Sequence, residues 1–421
     1  MERSTKIKIT YILFSITVFI LCIIYANMSQ VNSLMDENKE IIFSNLQFDH
    51  SELVTNLFNS EGYYQYRHNI KYHLAKLPVL PLIISSLALI SKNLYFIYFV
   101  KNLVLFSIIF YSLNFYCKSH NRNYVYFLIC LVCMFIIPHN LHVQLNIHFA
   151  DTIVACLLPS LFWLISTENK EKYIYVSLIL FILYLTKTSM FFLCLTLPFG
   201  ILILENDNIK RKILPIFSVI LAIIIWGSFG LVKTGVFPFG SKILSVASEG
   251  MSVALNEKFH KYYPQKSVDL IKLNKIETNR FNTEWEIYEH YKSNNDNYLR
   301  YNLDRYIKDT FIKIKVVLFN IKKDSVFPDN EGNFKNPIKV SFLLNKIIFN
   351  LSIIIAMIIF FKNINNLKLV KLEIYLLTIV GMNTLPLIAG WATAKHLTGM
   401  TLVCLVYLLI KLNNKNLKKL I

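Results

Sequence analysis

Apolar residues in this chain gather into continuous runs of about 15 to 25, divided by short charged stretches, instead of recurring at every third or fourth position. Ile7 to Met28, Leu94 to Tyr116 and Ile213 to Leu231 are each long enough, as helices, to cross roughly 30 Å of hydrocarbon. Further runs lie at approximately 78–92, 123–138, 150–167, 173–187, 189–204, 338–361, 371–390 and 397–411, which with the first three makes eleven.

Charge decides how many of them cross. If all eleven did, from a cytoplasmic N-terminus, then Lys118/Arg122, Lys210/Arg211/Lys212, Lys362/Lys368/Lys371 and Lys415/Lys418/Lys419 would all face outward, against the positive-inside tendency. Withholding one early segment moves all four clusters inside. Pro78 to Lys92 is the segment to withhold, because it is short, contains Pro81 and follows Lys76. The expectation is an all-α polytopic membrane protein with about ten transmembrane helices and both termini cytoplasmic. An interfacial helix lies in its first outer loop (27–93), and a long polar loop (233–337) separates an N-terminal bundle (1–232) from C-terminal helices and a tail (338–421). Within the long loop, Tyr298 to Phe319 has apolar residues at helical spacing between basic ones, the pattern either of a helix lying on a membrane surface or of a solvated helix packed on the loop itself.

Composition agrees with this reading. Hydrophobic residues make up 55% of the 421 and charged residues 17%, against about a quarter charged in soluble domains. The net charge of +18 lies largely beside helix ends, where it sets topology, so nucleic acid is not the expected partner. Arg3, Lys6 and Lys8 precede the first run, but no small-residue cleavage site follows, which favours a retained helix over a secretory signal. The seven cysteines fall in or at the ends of apolar runs and form no readable disulfide or zinc pattern.

Chemistry-bearing residues concentrate in the segments assigned outside. The first outer loop carries Asp36, Glu37, Glu40, Asp49, Glu52 and Glu61, of which Glu61 has aromatic and basic neighbours in FNSEGYYQYRHNIKYHLAKLPVLPL. A carboxylate held there could take a proton from an acceptor hydroxyl. Asp151 opens the helix after HNLHVQLNIHFAD, a position the helix dipole favours for an acid. His139, His142 and His148 precede it, a set that with a carboxylate could hold a divalent metal. Lys187 interrupts the apolar stretch from Tyr173 to Leu204, and Lys395 and His396 open the last helix. Cations at this depth suit either ordinary headgroups or an anionic lipid phosphate.

Taken in order, Ser60-Glu61-Gly62-Tyr63, Lys76-Leu77-Pro78-Val79-Leu80-Pro81, Ala150-Asp151-Thr152, Leu185-Thr186-Lys187 and Lys395-His396 resemble the C-type membrane glycosyltransferases, in particular the branch of protein mannosyltransferases and aminoarabinose transferases. The resemblance covers roughly residues 1–205, and more loosely 298–411. It implies an inverting enzyme that takes sugar from a polyprenyl-phosphate donor at the outer face of a bacterial inner membrane and passes it to a glycan, lipid or protein acceptor. Glu61 would be the base, with Asp49 in reserve because Asn59 stands where the family often has Asp. Lys187, Lys395, His396 and Arg67 would bind the donor phosphate, and Asp151 would orient the loop or a metal. Two alternatives remain at this stage: a polysaccharide polymerase of the O-antigen type, and a lipid or polysaccharide flippase or transporter.

Overall fold

A computed structural model describes residues 3–27, 33–46, 50–67, 70–239, 281–315, 335–367, 369–389 and 394–412. The chain is mainly helical. In order, the helices are α1 (Arg3–Ala26), α2 (Ser51–Phe58), α3 (Val79–Ile90), α4 (Leu94–Ser119), α5 (Tyr124–Phe135), α6 (Pro138–Leu145), α7 (Asp151–Ile165), α8 (Lys172–Thr186), α9 (Phe191–Leu204), α10 (Leu214–Thr234), α11 (Glu284–Lys315), α12 (Lys335–Lys362), α13 (Lys371–Ala389) and α14 (Ala394–Leu412). A single helical turn, Ile209–Lys212, leads into α10. The all-α expectation misses one element, an antiparallel hairpin of β1 (Gln65–Arg67) and β2 (Ile70–Tyr72) in the first loop, with Gln65 opposite Tyr72.

Local chemistry sets the boundaries. Asn93 and Asn123 cap α4 and α5 by accepting from the backbone N–H groups of Phe96 and Tyr126. Pro138 ends α5 two residues early and starts α6, and the pair is bent by 76°. Gly235, at φ +76°, closes α10 in the left-handed conformation that a side chain would disfavour. Lys187 takes an extended conformation between α8 and the 3-10 turn that leads into α9, so the long apolar stretch breaks where its charge predicts.

Among the described residues, four helices are long and apolar enough to cross a membrane: Arg3–Ala26, Leu94–Ser119, Ile209–Thr234 and Val340–Lys362; α5 with α6 makes a fifth if the bent pair is one span. Breaks at Pro138 and Lys187 leave the apolar helices between them shorter, so length and composition identify fewer spans than the ten expected from the runs. The α3 segment is 12 residues and about 18 Å long, against roughly 30 Å of hydrocarbon. On α1, Ile9, Ile12, Leu13, Ile16, Ile20 and Ile24 face outward, an inversion of soluble patterning that suits contact with lipid. The helix expected at Tyr298–Phe319 belongs to α11, which begins at Glu284; residues 316–319 lie outside the described residues.

All 15 residues of α7 are buried, which fits a sequence apolar around its whole circumference after Asp151. It is the central helix, packed by α4, α8 and α14. Polar contacts show which helix ends meet. At one end of α8, Lys172 pairs with Glu205, after α9, at 3.0 Å, and Lys371, opening α13, pairs with the same carboxylate at 3.1 Å. Nearby, Glu373 of α13 pairs with Lys411 near the end of α14. At the other end of α8, about 22 Å away, Lys187 meets the start of α7. The first loop packs at this second end: Tyr63 stacks edge-on against Trp226 and Phe229 near the end of α10, and its hydroxyl donates to the Lys76 carbonyl at 2.8 Å. Glu284 of α11 accepts from the backbone N–H groups of His73 and Leu74, both at 3.3 Å, which ties the late loop to the hairpin.

Candidate functional site

The turn between α6 and α7 places the central acid. The Asn146 carbonyl accepts from Lys101 Nζ at 2.5 Å and from Thr152 Oγ1 at 2.6 Å, and the Asn146 side chain accepts from the His148 backbone N–H at 2.7 Å. Thr152 Oγ1 also lies 2.8 Å from the Val143 carbonyl. These contacts close the turn and set Asp151, 6% exposed, at the first position of α7, where the free N–H groups of the helix favour its negative charge.

Two further helix ends converge on that carboxylate. Lys187, at the C-terminal break of α8, places Nζ 2.5 Å from Asp151 Oδ1; His396, in the first turn of α14, places Nε2 3.9 Å from Oδ2. Lys187 sits at a helix C-terminus, where a cation is favoured, so both members of the pair also interact well with their own helices. The Lys187 side chain keeps 20% exposure, so the site opens on the lysine side and closes on the aspartate side. An ammonium has three N–H donors, and Asp151 occupies one of them.

The first loop adds His50, a residue the sequence reading missed. It immediately precedes α2, makes no side-chain capping bond and is 8% exposed, with Nδ1 buried and without a hydrogen-bond partner. Burial, followed by the nearby Lys76 and His148, pushes its pKa down to about 3, against a smaller upward pull from Asp151. His50 is therefore a neutral imidazole at neutral pH. Lys101 was missed as well. It is 2% exposed on α4 and meets a carbonyl, and a lone lysine inside an apolar run is itself a signal of function. Gln144 of α6 is fully buried with both side-chain amide atoms unpartnered.

The other expected site residues lie differently. Glu61 is exposed, between Ser60 at φ +60° and Gly62 at φ +109°, and its carboxylate accepts from the Tyr64 hydroxyl at 3.3 Å. The Tyr64 ring is in turn covered by the Lys71 ammonium, 3.7 Å from its centroid. Glu61 thus belongs to a surface patch of the first loop with Tyr64 and Lys71. Asp49 lies outside the described residues, and for Arg67 and Lys395 the backbone alone is described. His139 and His142 pack into helix contacts: the His139 N–H donates to Ser341 Oγ of α12 at 3.1 Å, and the His142 ring lies 5.0 Å from that of Tyr25. Among the described residues, no three His, Cys, Asp or Glu side chains are grouped so as to hold a metal, so His139, His142 and His148 do not form the centre their spacing suggested.

Comparison of the chain with protein-family models, with curated proteins and with solved structures returns no match.

Proposed function

We propose that this protein is a membrane glycosyltransferase that moves a sugar from a polyprenyl-phosphate donor to an acceptor at the extracytoplasmic face of a bacterial inner membrane. The observation that carries the reading is the partly open Asp151–Lys187 pair with His396 beside it, at a bundle end covered by the polar first loop. In this reading α1, α4, the bent α5–α6 pair, α7 to α10 and α12 to α14 are the ten crossings, and α3 rests at the outer surface.

The donor is an anionic headgroup on an apolar tail, which requires cations beside a lipid-accessible surface. Lys187 offers its unused N–H donors to the phosphate, joined by His396 and Lys395 and by Arg67 from the hairpin, while Asp151 fixes the position of Lys187. The acceptor hydroxyl loses its proton to Glu61, or to Asp49, as its oxygen bonds to the anomeric carbon. The bond from that carbon to the phosphate oxygen breaks, the polyprenyl phosphate leaves with the electron pair, and the anomeric centre inverts. Cations at the leaving phosphate stabilise the charge that builds there, the usual large electrostatic contribution to such a step. Glu61 suits the acceptor side because it is exposed and held by Tyr64.

Membranes carrying the protein and a radiolabelled polyprenyl-phosphate sugar test the reading. Label moving to a new acceptor, lost in Glu61→Gln and in Lys187→Met at unchanged protein level, is the expected result. Lengthening of a lipid-linked oligomer would replace it with a polymerase, and label crossing the membrane without covalent change with a transporter.

A further inference from the structure

We propose that His50 reads a hydroxyl group of the ligand, forming the part of the site that recognises the sugar headgroup. This rests on the donor reading above and adds a division of labour to it.

The cluster holds two kinds of polar group. Lys187 and Lys76 are cations, matched to a phosphate, which can only accept hydrogen bonds. His50 is different in kind: it is nine-tenths buried, its Nδ1 has no protein partner, and Lys76, His148 and Asp151 are its charged or titratable neighbours. Leaving a buried polar atom unpartnered costs about 1–3 kcal/mol, so a ligand group that pairs with Nδ1 gains correspondingly. Burial first, and then Lys76, disfavour a positive charge here, which keeps the ring neutral with one N–H and one bare nitrogen. A hydroxyl both donates and accepts, so it can pair with Nδ1 in either tautomer of the ring. A phosphate could use only the N–H and would be better served by the lysines.

The test compares binding of short-chain prenyl phosphodiesters to purified protein in detergent. One ligand is the methyl diester, which has the charge and tail but no hydroxyl; the others carry glucosyl, mannosyl or arabinosyl headgroups. Wild type should bind at least one glycosyl diester about tenfold more tightly than the methyl diester, the size of one net hydrogen bond. His50→Leu should abolish that gain and leave methyl-diester affinity within about twofold, while His50→Gln should retain part of it. Ligand-free His50→Leu should unfold at or above the wild-type temperature, because leucine leaves no unpartnered atom. Retention of the headgroup gain in His50→Leu, absence of any gain in wild type, or a lower unfolding temperature for ligand-free His50→Leu overturns the assignment of His50 alone. Failure of wild type to bind the methyl diester overturns the donor reading, and the His50 assignment with it.

Discussion

The Asp151–Lys187 pair should show a large, measurable coupling. Asp151→Asn keeps the shape of the side chain but leaves the Lys187 ammonium facing a neutral amide; Lys187→Met keeps the stem and strands the Asp151 carboxylate, which is the more deeply buried partner. Two unit charges about 3 Å apart attract by about 5 kcal/mol at an effective dielectric of about 20. Desolvation of the aspartate and solvent screening of the 20% exposed lysine remove much of that, which leaves a net coupling of about 2 kcal/mol. Each single variant should lose about 2–3 kcal/mol, and the double variant should lose less than the sum of the two. Reversible unfolding of the four proteins in mixed detergent micelles closes the cycle. A coupling below about 0.5 kcal/mol would refute the claim that this is a built ion pair.

At the opposite end of the bundle, burial draws the Glu205 carboxyl upward, but the ammonium groups of Lys172 and Lys371 outweigh it and hold it below the ordinary glutamate range. Its stabilisation is therefore complete above the unfolded-state value and is lost as pH falls through the lower folded value. Unfolding measured from pH 6 to pH 3 should show wild type losing more stability than Glu205→Gln; parallel curves would contradict the assignment. Lys101→Met removes a buried cation whose carbonyl partner keeps the Thr152 hydroxyl, so stability should stay within about 1 kcal/mol of wild type or rise. A loss above about 3 kcal/mol would show that Lys101 holds the turn on which Asp151 depends. If α3 lies at the outer surface, cysteines at Lys76 and Lys92 should both react with an impermeant thiol reagent from the same side; labelling from opposite sides would make α3 a crossing.

The elements legible in the sequence are those set by local chemistry. Lys187 breaks a run too long for one helix, and Pro78 to Lys92 reads as a short segment of its own, and both boundaries stand in the structure. Asp151 at a helix start was readable for the same reason. Its partners were less so, because Lys187 is 36 residues away and only the packing of α7, α8 and α14 brings that lysine and His396 together. Glu205 and Glu373 look in sequence like solvated acids at helix ends, yet each is buried under cations from a distant helix. Glu61 drew attention through its neighbours, Tyr63 and Tyr64, but those neighbours divide: Tyr63 packs inward on α10 while Tyr64 and Glu61 stay at the surface. His50 carried no signal beyond standing beside Asp49, and the charged or titratable groups that act on it, Lys76, His148 and Asp151, come from other segments, which no local pattern reveals.

The most direct measurement of the central claim uses purified protein in proteoliposomes with a radiolabelled polyprenyl-phosphate sugar and a membrane extract as acceptor, following release of free polyprenyl phosphate. Release matched one for one by label on the acceptor, and abolished by Lys187→Met, is the predicted result. A donor that stays intact in the presence of folded wild-type protein and acceptor, or release unchanged by Lys187→Met, would contradict it.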